Sequence, residues 1–106
     1  MEEVRPVRLR YTSEARQHIA AIHDYIAERN QAAAMRVIER IRAAISRLGE
    51  APHIGRLGAV PGTQEWIVRG LPYIIVYQAD PDRDELTVLD VFHGARDIAR
   101  GPGPGE

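Results

Sequence analysis

The sequence predicts an α+β fold of order β-α-α-β-β-β, a helical hairpin packed on a small antiparallel sheet. Three observations predict it. Apolar and basic residues alternate over residues 7–11, apolar residues recur at helical spacing over two consecutive stretches up to Leu48, and three short apolar runs separated by turn-forming segments fill residues 65–93. At 106 residues, 44% hydrophobic and 27% charged, the chain suits a single globular domain around one core.

Val7, Leu9 and Tyr11 alternate with Arg8 and Arg10, the period-two signature of a strand with one buried and one arginine-bearing face. Thr12 or Ser13 can cap the helix that follows, with Glu14 near its positive end. Ala15, Ile19, Ile22 and Ile26 extend that helix to about Asn30. A second helical stripe, Ala34, Val37, Ile38, Ile41, Ala44, Ile45 and Leu48, stops at Gly49 before Pro52, so the two helices form an antiparallel hairpin. From about Glu50 to Thr63 the residues Pro52, Gly55, Gly58, Pro61 and Gly62 read as a loop.

The strands Glu65 to Arg69, Tyr73 to Gln78 and Glu85 to His93 then form a meander, because Gly70-Leu71-Pro72 and Asp80 to Asp84 leave room only for short connections. The domain is expected over residues 1–98, followed by a disordered Gly/Pro tail over 99–106 that has too little apolar surface to anchor it.

Composition narrows the chemistry. The formal net charge is −1, so contact with a polyanion has to come from a local patch. All 14 basic residues are arginine. With no cysteine there is no disulfide, thiolate zinc site or thiol nucleophile. His18 and His23 lack the spacing of a helical zinc pair, so neither metal nor cofactor is expected. The opening Met1 to Arg5 has no signal-peptide pattern and no apolar run reaches membrane-spanning length, which makes cytoplasmic residence the expectation.

Counting outward from the turns places Arg69 close to Tyr73, Tyr73 beside Asp90 or Val91, and His93 and Arg96 at the same end of the sheet. Two guanidiniums, a phenol and an imidazole there have the chemistry to hold a phosphate or carboxylate and to move a proton. The same residue types also occur at sheet ends for solvation alone, and Tyr73 within Tyr-Ile-Ile-Val-Tyr fits a packed strand residue better than a catalytic one. Trp66 is equally a partner contact or a cover over the core. Tyr25, Met35 and the wide Ile/Val stripe exceed what one narrow helical face requires, leaving either a groove for a partner segment or simply a broad sheet-facing surface.

Four blocks acquire a meaning together: Gly55-Arg56; Val60-Pro61-Gly62-Thr63-Gln64-Glu65-Trp66-Ile67-Val68; Leu71 to Tyr77; and Val91-Phe92-His93-Gly94-Ala95-Arg96-Asp97. In this order they resemble the toxins of type II toxin–antitoxin systems, the RelE/ParE superfamily, and more closely its ParE branch. The likeness spans about residues 7–98 and is most specific at His-Gly-Ala-Arg. It implies a bacterial toxin in an oligomeric complex with a cognate antitoxin, which alone contacts operator DNA. The apolar surface at Ile22, Tyr25, Ile26, Met35 and Ile38 would suit that antitoxin.

The superfamily divides between ribosome-dependent mRNA endonucleases and poisons of DNA gyrase. RNA cleavage needs a base, an acid and several cations around a phosphorane-like transition state. This chain has no lysine, and beyond the cluster only Arg56 offers another cation near the sheet. The resemblance therefore implies a non-enzymatic gyrase inhibitor that arrests growth, with Arg56, Glu65, Trp66, Arg69, His93 and Arg96 as target contacts. The alternatives are a RelE-type endonuclease using His93, Arg69, Arg96 and Tyr73, and a non-toxic partner that serves only to bind the antitoxin on DNA. Gln64 and Trp66 depart from the basic and aliphatic residues common at their places in the family, which bears on target choice.

Overall fold

A computed structural model describes residues 7–94. The elements are β1 (Arg8–Tyr11), α1 (Ser13–Ala27), α2 (Gln31–Glu50), a 3-10 turn (Pro52–Ile54), β2 (Arg56–Leu57), β3 (Gln64–Ile67), β4 (Tyr73–Asp80) and β5 (Glu85–His93). They form one five-stranded sheet of order β1-β5-β4-β3-β2, and α1 and α2 pack on one face of it.

The α+β class, the helical hairpin and the meander agree with the expectation, and β5 has the expected bounds. The sheet is mixed, however, and not purely antiparallel, because β1 runs parallel to β5, pairing Arg8 with Glu85 through Tyr11 with Val88. Alternation reveals which face of a strand is buried but carries no information about the direction of a pairing closed across some 75 residues of chain. β2 is also additional, two residues paired with β3 inside the segment expected to be a loop.

Both helices begin where a short polar side chain accepts an otherwise unpaired backbone N–H. Thr12 Oγ1 accepts from the Ala15 N–H (3.0 Å), and Asn30 Oδ1 accepts from the Ala33 N–H (2.9 Å). α2 runs through Gly49, which does not stop it. A side chain there would press on Leu9, its Cβ 3.2 Å from Leu9 Cδ2, so the glycine permits close approach of α2 to β1.

The core lies between the hairpin and the sheet. Ala15, Ile22, Ile41, Ile45 and Leu48 from the helices meet Val68, Tyr73, Ile75, Tyr77, Leu86, Val88 and Val91 from the sheet side. Each such large aliphatic side chain contributes about 1.5–3 kcal/mol through burial. Arg8 and Arg10 lie on the opposite face of β1, each 3.6 Å from Glu85 Oε2.

β1 covers β5 only as far as Val88, leaving the next residues of β5 as an open edge of the kind that templates unwanted pairing. Three side chains close it. Thr12 Oγ1 donates to the Leu89 carbonyl (2.9 Å), Asp90 Oδ1 accepts from the Val91 N–H (2.8 Å), and His18 Nδ1 on α1 lies 2.5 Å from the same Asp90 oxygen.

Tyr77 fastens the connection after α2. Its fully buried ring projects its hydroxyl to the 3-10 turn, donating to the Pro52 carbonyl (2.7 Å) and accepting from the Gly55 N–H (3.0 Å). A Cβ at Gly55 would collide with this phenol, so glycine is required by space. Burial pushes the phenol's pKa above its usual value, partly offset by the Gly55 hydrogen bond, which favours the ionised form.

The Tyr77→Phe variant is expected to lose about 1–3 kcal/mol in urea unfolding, since it strands the Gly55 N–H and leaves the Pro52 carbonyl to the Gln64 side-chain amide alone. Because the folded-state pKa is raised, the wild type's extra stability is present below about pH 10. It declines as pH rises from there through the folded value. The stability gap between wild type and Tyr77→Phe should narrow over that window.

Candidate functional site

The end of the sheet where β4 begins and β5 finishes gathers the polar residues that the sequence singles out. Tyr73 pairs directly with His93, and their rings meet nearly at right angles (85°) with centroids 5.5 Å apart. The counting from the turns set Tyr73 against Asp90 or Val91 and falls short of His93 by two residues even from Val91. One residue comes from the four-residue loop Pro81–Asp84, whose centre lies beyond Asp82. The other comes from the irregularity at Val76/Tyr77, where the register passes from Asp90 to Val88 and leaves Leu89 unpaired.

Tyr73 is 5% exposed and forms part of the core, as the packed-strand reading expects. His93 is half-buried. Arg69 is exposed, and it lies in the turn after β3, which ends at Ile67 instead of continuing to Arg69. The turn closes through Val68 N–H to the Tyr73 carbonyl (2.9 Å) and Leu71 N–H to the Val68 carbonyl (3.0 Å). Gly70 adopts φ +77°, a left-handed conformation that costs other residues about 1–2 kcal/mol. From α2, the Arg40 guanidinium donates to the Arg69 carbonyl and so ties this turn to the helix. The Gly94 N–H donates to the Pro72 carbonyl (2.6 Å) and fastens the end of β5 to the same corner.

Arg69, Tyr73 and His93 thus share one corner of the fold, while Arg96 lies outside the described residues, as does the tail at 99–106. Arg56 and Glu65 are elsewhere, paired across β2 and β3 with Arg56 Nη2 3.1 Å from Glu65 Oε1. Trp66 is partly buried against the core, so its ring chiefly covers the interior. Leu57 (88%) on β2, Val60 (63%) in the connection after it and Ile67 (50%) at the end of β3 are exposed apolar residues, Ile67 on the sheet face of the Arg56–Glu65 pair and Leu57 on the other face, and the first two fall in a Gly/Pro-rich stretch that offers no sequence pattern.

The candidate antitoxin surface divides likewise. Ile22 is buried in the core, and Ile26 and Ile38 are half-buried against it, whereas Tyr25 (52%) and Met35 (56%) are open near the tip of the hairpin. Among the described residues no group of three or more His, Asp or Glu side chains is placed to hold a metal ion, and no helix is long and apolar enough to cross a membrane.

The two-helix hairpin on a five-stranded mixed sheet is a fold shared with solved toxins of toxin–antitoxin systems. The chain superposes on a chain of the chromosomal ParDE TA system from P. aeruginosa with a TM-score of 0.72 at 20% identity, covering 82% of this chain and 95% of that one. It superposes on the isolated E. coli RelE toxin with a TM-score of 0.63 at 17% identity, covering 89% and 97%. In sequence it is 38% identical over 82 residues to a protein of Sinorhizobium fredii (strain NBRC 101917 / NGR234) named "Putative toxin Y4kP", covering 77% of this chain and 85% of that protein. Residues 9–98 match the family described as ParE toxin of type II toxin-antitoxin system, parDE, and the chain belongs to that family.

The corner depends on the turn at Gly70. Gly70→Ala, which imposes a left-handed alanine and a Cβ 3.3 Å from an Arg40 nitrogen, is expected to cost about 1–2 kcal/mol by thermal or urea unfolding. An unchanged stability would mean that the turn relaxes without strain.

Proposed function

We propose that this toxin inhibits DNA gyrase by binding it and trapping its cleaved DNA complex, and that a cognate antitoxin neutralises it. Membership of the ParE family supports the reading. The observation that carries it is the sparse cation set of the sheet corner. Arg56, the additional cation available to a nuclease, is paired with Glu65 across β2 and β3, and the exposed Arg40 guanidinium is engaged with the Arg69 carbonyl, so among the described residues Arg69 is the guanidinium at the Tyr73–His93 corner without such an engagement. Stabilising a phosphorane-like transition state calls for several preorganised positive groups. Binding makes no such demand, and the exposed Ile67 on the face of the Arg56–Glu65 pair, with exposed Leu57 and Val60 at the same edge of the sheet, offers apolar contacts to a protein partner.

The antitoxin is assigned to the open hairpin tip, with Tyr25 and Met35 as anchors and the half-buried Ile26 and Ile38 beneath them. Ile22 contributes from below as core. Both E. coli RelE and a Mycobacterium tuberculosis RelE-type toxin occur in solved structures with their antitoxins, in keeping with a protein partner for this fold.

A second reading has its own observation: the direct pairing of Tyr73 with His93 brings a phenol and an imidazole together beside Arg69, an acid–base arrangement suited to ribosome-dependent mRNA cleavage.

Purified gyrase titrated with antitoxin-free toxin decides between them. The gyrase reading predicts loss of supercoiling with accumulation of cleaved, protein-linked DNA, and reversal of both effects by the antitoxin. No effect from folded toxin at any concentration, together with ribosome-dependent mRNA cleavage that His93→Ala abolishes, overturns it in favour of the nuclease.

A further inference from the structure

One flank of α2 carries a row of arginines that runs outward from the corner turn. Arg36, Arg40, Ala43 and Arg47 succeed each other at spacings of four, three and four residues, which aligns them along a single face of the helix. All four are exposed. At 1.5 Å per residue the row is about 16 Å long. Arg40 reaches the Arg69 carbonyl, so the exposed Arg69 adjoins the row from the β3–β4 turn. The ion pairs of the described residues engage Arg8, Arg10, Arg56 and Arg83, and none involves Arg36, Arg40, Arg47 or Arg69. Three guanidiniums in line with a fourth beside them, none in an ion pair among the described residues, are a concentrated local field on a chain of net charge −1.

We infer that this row, Arg36, Arg40 and Arg47 with Arg69, is a binding surface for the phosphate backbone of duplex DNA. The chemistry of the row selects the occupant. A protein partner would need an apolar or aromatic centre to supply affinity, and the row offers only Ala43. A single strand would need aromatic side chains on which to stack its bases, and the row has none. A duplex presents a straight, dense line of charge, one per about 1.7 Å of axis, which a straight row of guanidiniums complements without reading sequence. Glu39 and Glu50 occupy the adjoining row of α2 and repel a polyanion, which confines it to the Arg69 side. The inference goes beyond the gyrase reading and is tested by binding alone.

The experiment is fluorescence anisotropy of a labelled 20-base-pair duplex titrated with the full-length toxin between 50 and 200 mM salt. Four phosphate contacts predict a slope of log K against log salt of about −3.6, a loss of affinity of about a hundredfold over that range. Arg36→Ala/Arg47→Ala removes two contacts at exposed positions, and its fold is checked by circular dichroism. It should reduce the slope to about −1.8 and the loss to about tenfold, whereas Arg8→Ala/Arg10→Ala on the opposite sheet face should leave both unchanged. The inference is overturned if the toxin does not bind the duplex, if the folded Arg36→Ala/Arg47→Ala variant keeps the wild-type slope, if a single strand of equal length binds more tightly, or if poly-glutamate competes at equal charge concentration as well as the duplex does.

Discussion

The antiparallel pairing of β4 with β5 is the constraint on which the rest of this protein depends. It is the longest ladder in the sheet, it supplies Ile75, Tyr77, Val88 and Val91 to the core beneath the helical hairpin, and it leaves β5 an outer side on which β1 adds. The irregularity at Val76/Tyr77 sets the geometry of the polar corner. By leaving Leu89 unpaired it shifts the remainder of β5 along β4, so that His93 comes opposite Tyr73 and the chain leaves the sheet beside the turn that holds Arg69. Asp90, just beyond that unpaired residue, reaches His18 on α1 and ties the open edge to the helix.

Polar groups that fasten the scaffold are held by backbone partners, whereas the candidate contact residues face solvent. Tyr77 locks the connection after α2, and Arg40 locks the turn at Arg69 and Gly70. The exposed features are then spread over separate surfaces: Leu57, Val60 and Ile67 at the β2–β3 edge, Tyr25 and Met35 at the hairpin tip, and the arginine row of α2. A domain with one concave, water-excluding site favours catalysis. Several exposed surfaces spread over one small fold suit contacts with different macromolecules, in keeping with the proposed binding role.

Much of the fold was legible in the sequence because the hydrophobic periods are strong. Val7, Leu9 and Tyr11 marked a strand, the isoleucines of both helices marked a hairpin, and β5 was bounded correctly at Glu85 and His93. What was not legible lies in non-local geometry. No pattern announces that β1 runs parallel to β5. Two residues at Arg56 and Leu57 are too few to show a period, and Gly49 looks the same whether it ends a helix or lets it touch Leu9. At the site, the gathering of Arg69, Tyr73 and His93 was foreseeable from turn positions, while the partner of Tyr73 was hidden by the unpaired Leu89. The hydroxyl of Tyr77 and the His18–Asp90 pair were missed because each joins residues distant in sequence that are ordinary one by one.

The central claim is that this fold acts here by binding and not by cutting RNA. The state of messenger RNA and chromosomal DNA in cells arrested by the toxin without its antitoxin tests it most directly. The account predicts intact messages, with broken chromosomal DNA bearing covalently attached gyrase. Messages cut at ribosome-positioned sites, over an unbroken chromosome, would contradict it.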